Sequence, residues 1–165
     1  MRIIKFRGKD VKTLHWVYGA FHEHIDITPA AFYKDAESRE NHIKEHTHYL
    51  IIQDAFSDYC MPRNIQCFDV TPETIGQFTG LHDKNGKEIY EGDIVTFDDT
   101  PYCVNGSGYQ GTVVMHNGAW CVKHYEKYFD VDFYSPLFAD DFANRKTIIL
   151  GNIHDNPELL KGGEE

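Results

Sequence analysis

The chain predicts a mainly β protein made of antiparallel hairpins, and three features carry that expectation. Apolar and charged residues alternate with a period of two near the start, where Ile4 and Phe6 are interleaved with Lys5 and Arg7. Two strand-like segments, Gly111–His116 and Ala119–Lys123, are separated by only Asn117-Gly118, the dipeptide suited to a type I′ turn. Two Trp, ten Tyr and eleven Phe among 165 residues favour pleated surfaces, where large flat side chains pack across strands. The short strands joined by hairpins are expected to close partly, because closure removes exposed strand edges, with 81–165 as a C-terminal β subdomain. It is expected to pack with an N-terminal β subdomain, 1–80, carrying one short helix or excursion.

The first strand follows from the Ile4–Arg7 alternation, with one face in the core and the other in water. Leu14–His22 supplies a second, rich in Trp16, Val17, Tyr18 and Phe21, with Gly19 as a candidate bulge. From Asp26 to about His46 the texture turns polar. Thr28 before Pro29 has the chemistry of a helix cap followed by proline at the first helical position, so a helix of about ten residues or a mobile excursion fits. His48–Gln53 and Ile65–Val70 return to core-strand composition. Thr71-Pro72 interrupts the ladder, since proline has no amide hydrogen to donate. Ile75–Gly80 alternates as a short strand.

Asp83-Lys-Asn-Gly86 forms the next turn, with Gly86 supplying a positive φ, and Glu88–Tyr90 begins the returning strand. Asp93–Phe97 follows, and Asp98–Gly108 is a long loop of acids, Thr, Asn and Gly. After the Asn117-Gly118 hairpin, Phe129–Asn144 lacks a dominant period and fits an irregular loop or one helical turn. Thr147–Ile153 is a buried strand, and Asn156–Leu160 a short cap before an acidic tail.

Sixteen Lys plus Arg against 26 Asp plus Glu give a formal charge of −10, which repels phosphate backbones unless a local basic patch exists. The best such patch is Arg2, Lys5, Arg7, Lys9 and Lys12. No apolar run is long enough to span a bilayer and no apolar segment follows the N-terminal cations, so a cytoplasmic protein without membrane contact is expected. Cys60, Cys67, Cys103 and Cys121 have no paired spacing and are expected as small buried hydrophobes.

Five blocks, in order along the chain, resemble the YopX-like proteins of phages and prophages: Ile3–Arg7, Trp16–Gly19, Val70–Leu81, Asn85–Val95, and Gly151–Ile153 with Asn156–Leu160. Together they cover roughly half the chain. The resemblance implies a mainly β fold with an SH3-like or related barrel in the C-terminal half and a phage or prophage origin. It brings no established catalytic residues.

Candidate chemistry is sparse. His42 and His46, four apart, would share a helical face and with His48 are the metal-ligand candidates, but no thiolate pair or His-Glu-x-x-His arrangement accompanies them, so neither metal nor other cofactor is expected. Gly80–Lys87 fails as a phosphate loop, since five residues rather than four separate its glycines and Glu88 stands where Ser or Thr should bind magnesium. Glu88, Glu91, Asp93, Asp98 and Asp99 cluster as acids do at strand ends, without a nucleophile motif. Candidate ligand contacts are Trp16, Tyr18, Tyr90, Glu91, Asp93 and Trp120, with Tyr109 a further exposed-aromatic candidate. These features describe a non-enzymatic binding module. Its expected partner is a host or phage protein, with nucleic acid the alternative through the basic first strand and aromatic faces; a homo-oligomer is compatible with both.

Overall fold

A computed structural model describes residues 3–26, 33–54, 65–98, 110–125, 132–137 and 146–160. The chain divides into two compact units, Lys5–Ile75 and Gly76–Glu165, the latter taking in Ile3 and Ile4. The fold is mainly β, as expected, and the strand pairings within each unit are antiparallel among the described residues.

In Lys5–Ile75, strands β1 (Phe6–Lys9), β2 (Trp16–Ile25), β3 (Thr47–Asp54) and β4 (Ile65–Asp69) lie in the order β4-β3-β2-β1, with helix α1 (Ala36–Glu45) between β2 and β3. The two-residue pleat sends Phe6, Val17, Phe21, Tyr49, Ile51, Phe68 and Val70 to one face, where Val17, Ile51 and Val70 are buried. β1 lies two residues beyond the expected Ile4 start, leaving Ile4 exposed. Gly19 is not a bulge, because β1 and β2 keep register through Phe6↔Gly19. A Cβ there would collide with the Ile52 carbonyl oxygen, so glycine is required by a close backbone approach. The turn between β1 and β2 is held by buried Asp10, whose carboxylate accepts from the Thr13 hydroxyl and amide at 2.6 and 2.9 Å. The Thr13 hydroxyl bond holds the Asp10 carboxyl below the usual carboxylate range.

The Thr28-Pro29 cap signal lies outside the described residues, and the described helix, α1, begins at Ala36. Its cap is Asp35, whose side chain accepts from the Ser38 amide at 2.7 Å and hydroxyl at 2.6 Å, and these bonds depress its carboxyl pKa. No residue of α1 is buried. β4 is more exposed than its composition implied: Ile65, Gln66 and Cys67 all face solvent, so Cys67 is not the buried thiol expected, whereas Cys121 is buried. Cys60 and Cys103 lie outside the described residues. A single turn of 3-10 helix, Pro72–Thr74, follows where proline ends the ladder.

In the second unit, β5 (Gly76–His82) and β6 (Glu88–Tyr90) form a hairpin, and β7 (Asp93–Asp98), β8 (Gln110–His116), β9 (Ala119–His124), β10 (Tyr134–Pro136) and β11 (Lys146–Asn152) form a sheet ordered β10-β9-β8-β7-β11. The sheet is open: β10 and β11 are its edges, and no hydrogen-bonded ladder among the described residues joins them into the barrel expected. The edges are blunted instead. β10 has three residues and carries Pro136, and β11 is bulged between Ile149 and Gly151, which turns Leu150 outward. β10 was not foreseen in the irregular 129–144 segment, and β11 is an edge rather than a buried core strand. At the β8–β9 turn Asn117 and Gly118 have φ of 49° and 80°, the pair of positive values a type I′ turn demands. The core contains Ile89, Val95, Val113, Val122 and Leu137, with Leu81, Trp120 and Ile149 against it.

Asp83 organises the β5–β6 turn. Its carboxylate accepts from the amides of Asn85 at 2.8 Å, Lys87 at 2.9 Å and Ile149 at 3.5 Å, joining the turn to β11. Burial raises its pKa, but the three amide bonds and the Asn85 side chain more than offset that, so the carboxyl sits below its ordinary value near 3.8.

Gly19→Ala is expected to lower stability by about 1–3 kcal/mol, read as a shifted denaturation midpoint, because two backbones must separate. Asp83→Asn is expected to destabilise by about 1–3 kcal/mol at neutral pH. A depressed folded pKa contributes stability above the unfolded value near 3.8 and loses it as pH falls through the folded value. The gap between parent and variant in thermal melts should therefore hold at pH 5–7 and narrow as pH falls below the ordinary carboxylate value near 3.8.

Candidate functional site

The pleat that turns Phe6 and Val17 toward the core turns Lys5, Arg7 and Lys9 of β1 and its N-terminal flank to the opposite face of the same strands. Register brings Trp16 opposite Lys9 and Tyr18 opposite Arg7. Cations and rings therefore interdigitate: the Arg7 guanidinium lies 4.7 Å from the Trp16 ring centroid, Lys9 5.5 Å from the same ring, and Lys5 5.5 Å from the Tyr18 ring. Tyr18 is 40% exposed, Lys5, Lys9 and Trp16 are half-buried, and Arg7 is buried. Arg7 thus packs against the Trp16 ring, while Lys5, Lys9 and Tyr18 are at least partly accessible. The face continues through Ala20, His22 and His24 of β2, Leu50 and His48 of β3, and Cys67 and Asp69 of β4, paired as His22↔Leu50↔Asp69 and His24↔His48.

Its far end is a histidine and carboxylate network. Asp26 lies 3.3 Å from His24 Nε2 and 3.7 Å from His48 Nε2, and His48 Nδ1 shares a 3.1 Å hydrogen bond with Asp69. His42 Nε2 meets the Asp26 carbonyl at 3.2 Å, and the Asp26 amide donates to the His46 carbonyl at 3.1 Å. The His42 and His46 rings do share a helical side, but they stack at 3.9 Å and 18°, and His46 Nδ1 turns to the His42 carbonyl. This arrangement joins α1 to the β2–β3 end by polar contacts. Among the described residues no three His, Cys, Asp or Glu converge as an ion would require.

The remaining sequence-derived candidates belong to the other unit. Tyr90 is 2% exposed, its hydroxyl donating to Glu88 at 2.6 Å, and its amide donates to buried Asp93 at 2.8 Å. The Glu91 amide donates to the Gln77 carbonyl at 2.9 Å in the turn before β7. Trp120 packs on the core beside Leu137, whose amide donates to the Trp120 carbonyl. Tyr109 and Asp99 lie outside the described residues. The structure thus brings Trp16 and Tyr18 together with three cations and places Tyr90 and Asp93 inside a core. Asp26 and Asp69 were missed in the sequence because only strand register shows what they meet. Tyr90→Phe is expected to lower the denaturation free energy by about 1 kcal/mol through the lost bond to Glu88, measured by denaturant titration.

No helix among the described residues is long and apolar enough to cross a membrane. The chain matches no curated protein. It is similar in fold to a solved structure, protein EF1440 from Enterococcus faecalis, with a TM-score of 0.51 and 24% identity over 98% of this chain and 100% of that one. The family model described as YopX protein matches residues 5–161, nearly the whole chain. The five sequence blocks and this match agree: the chain belongs to the YopX family.

Proposed function

We propose that this protein is a non-enzymatic binding module that engages a macromolecular partner through the outer face of β1–β4. One observation carries the reading: cations and aromatic rings are held interleaved on the sheet face opposite the core. Large amphipathic rings beside cations are the side chains that contribute most to recognition surfaces. The bonding of the acid cluster supports the same reading, since Asp93 accepts a backbone amide and Glu88 accepts the Tyr90 hydroxyl, which gives them structural partners. The charge of −10 favours a host or phage protein for the chain as a whole, and the phage or prophage setting implied by the family resemblance fits a small module of this kind in the cytoplasm.

Full-length protein immobilised and exposed to bacterial lysate should retain a stoichiometric protein or nucleic acid. The Tyr18→Ala, Lys9→Gln double variant should lose it. Retention that is equal for both forms, or absent for both, would overturn the reading.

A further inference from the structure

Strand β4 presents its edge differently from β10 and β11. Within Lys5–Ile75 it ends the order β4-β3-β2-β1, and it pairs with β3 in unbroken register from Leu50↔Asp69 to Asp54↔Ile65. It carries neither the proline of β10 nor the bulge of β11, the devices that keep an edge from pairing again. The direction of its backbone groups is fixed at its end. The Val70 amide donates to the Tyr49 carbonyl of β3 at 2.8 Å, whereas the Asp69 carbonyl accepts from the Val11 amide at 2.9 Å. Residues of an antiparallel pair alternate between those that exchange both bonds with the opposite strand and those that turn away from it. Gln66, Phe68 and Val70 therefore bond toward β3, while Ile65, Cys67 and Asp69 point their amides and carbonyls outward. Val11 occupies Asp69, and no strand among the described residues pairs with Ile65 and Cys67 on that side. Ile65 is 67% exposed, and Cys67 is an exposed free thiol.

We propose that this edge pairs with β4 of a second copy of the chain, antiparallel about a two-fold axis at Gln66. That register sets Ile65 opposite Cys67 of the second copy and Cys67 opposite its Ile65, so two outward-facing residues meet in each pair and exchange both N–H···O bonds. The side chains agree with it. Ile65 and Cys67 stand on one face of β4 and become apolar cross-strand neighbours, while Gln66 meets its mate with an amide that both donates and accepts. Charge selects the same occupant. Ile65–Phe68 is uncharged, so two chains of formal charge −10 approach here without an acid of one set directly opposite an acid of the other. Asp69 and its mate fall on opposite sides of the axis, six residues and about 20 Å apart along the paired strands. Five-residue edges bury less than the roughly 1,200–2,000 Å² of a stable interface, so the dimer forms at high concentration. It joins the outer faces of the two copies into one surface, whatever those faces bind.

Sedimentation velocity of the full chain under reducing conditions, from about 10 µM to about 1 mM, should show the average mass rising from monomer toward dimer. Ile65→Lys places an ammonium on the edge at an exposed position, and it should weaken dimerisation about tenfold while the circular dichroism spectrum stays that of the parent. Cys67 and its mate are diagonal neighbours about 7–8 Å apart, so a short bismaleimide should cross-link the parent into a covalent dimer and Cys67→Ser should lose that product. The cross-link reads the register on the unaltered strand, which keeps the test decisive if the lysine variant does not fold. A chain monomeric at the highest concentration, a dimer unchanged in Ile65→Lys, or equal cross-linking in Cys67→Ser would overturn the inference. So would a monomer that retains a lysate protein through an Ile65-dependent contact, since the edge would then belong to a foreign strand.

Discussion

The two-residue period of the pleated strand, locked by the β1–β2 register, is the constraint on which the rest of Lys5–Ile75 depends. With Phe6 opposite Gly19 and Gly8 opposite Val17, one face collects Phe6, Val17 and, through β3 and β4, Ile51 and Val70. The same register leaves Lys5, Arg7, Lys9, Trp16 and Tyr18 no choice but the other face. A slip of one residue would exchange the two sets, placing cations in an apolar interior, and that penalty is why the register is unique. Gly19 removes the remaining freedom, since β2 and β3 approach so closely there that no side chain fits beneath the Ile52 carbonyl.

Carboxylates have a consistent role across both units, and it is one of fastening backbone. Asp10, Asp35, Asp83 and Asp93 each accept amide hydrogens that turns and helix starts leave without a ladder partner. A charged acceptor makes these bonds shorter and stronger than neutral ones, so each carboxylate is worth more inside its turn than in water. Around the β5–β7 turns, Asp83 and Asp93 therefore serve the fold.

Helix α1 shows the same economy from another direction. Its apolar content is too thin to bury any residue, so it relies on the Asp35 cap at one end and the stacked His42 and His46 with Asp26 at the other. Helices of this length are marginal in water without packing, and polar docking substitutes for it here. The Asp35 cap gains a second bond, since its acceptor also reaches the Ser38 hydroxyl.

The sequence by itself determined the antiparallel β class, the Asn117-Gly118 and Asp83–Gly86 turns and most strand positions, because period-two alternation and positive-φ requirements are local and are written in consecutive residues. It also named Trp16 and Tyr18, though together with Tyr90, Asp93 and Trp120, which composition cannot distinguish from them. Only the tertiary structure decided which aromatics face solvent and which fill a core, that β10 pairs with β9, that the second sheet stays open with blunted edges, and that Asp26 and Asp69 meet His24 and His48. Those outcomes rest on pairings between residues far apart in the chain, where register and burial are settled by the collective packing of several strands rather than by any one segment's preference.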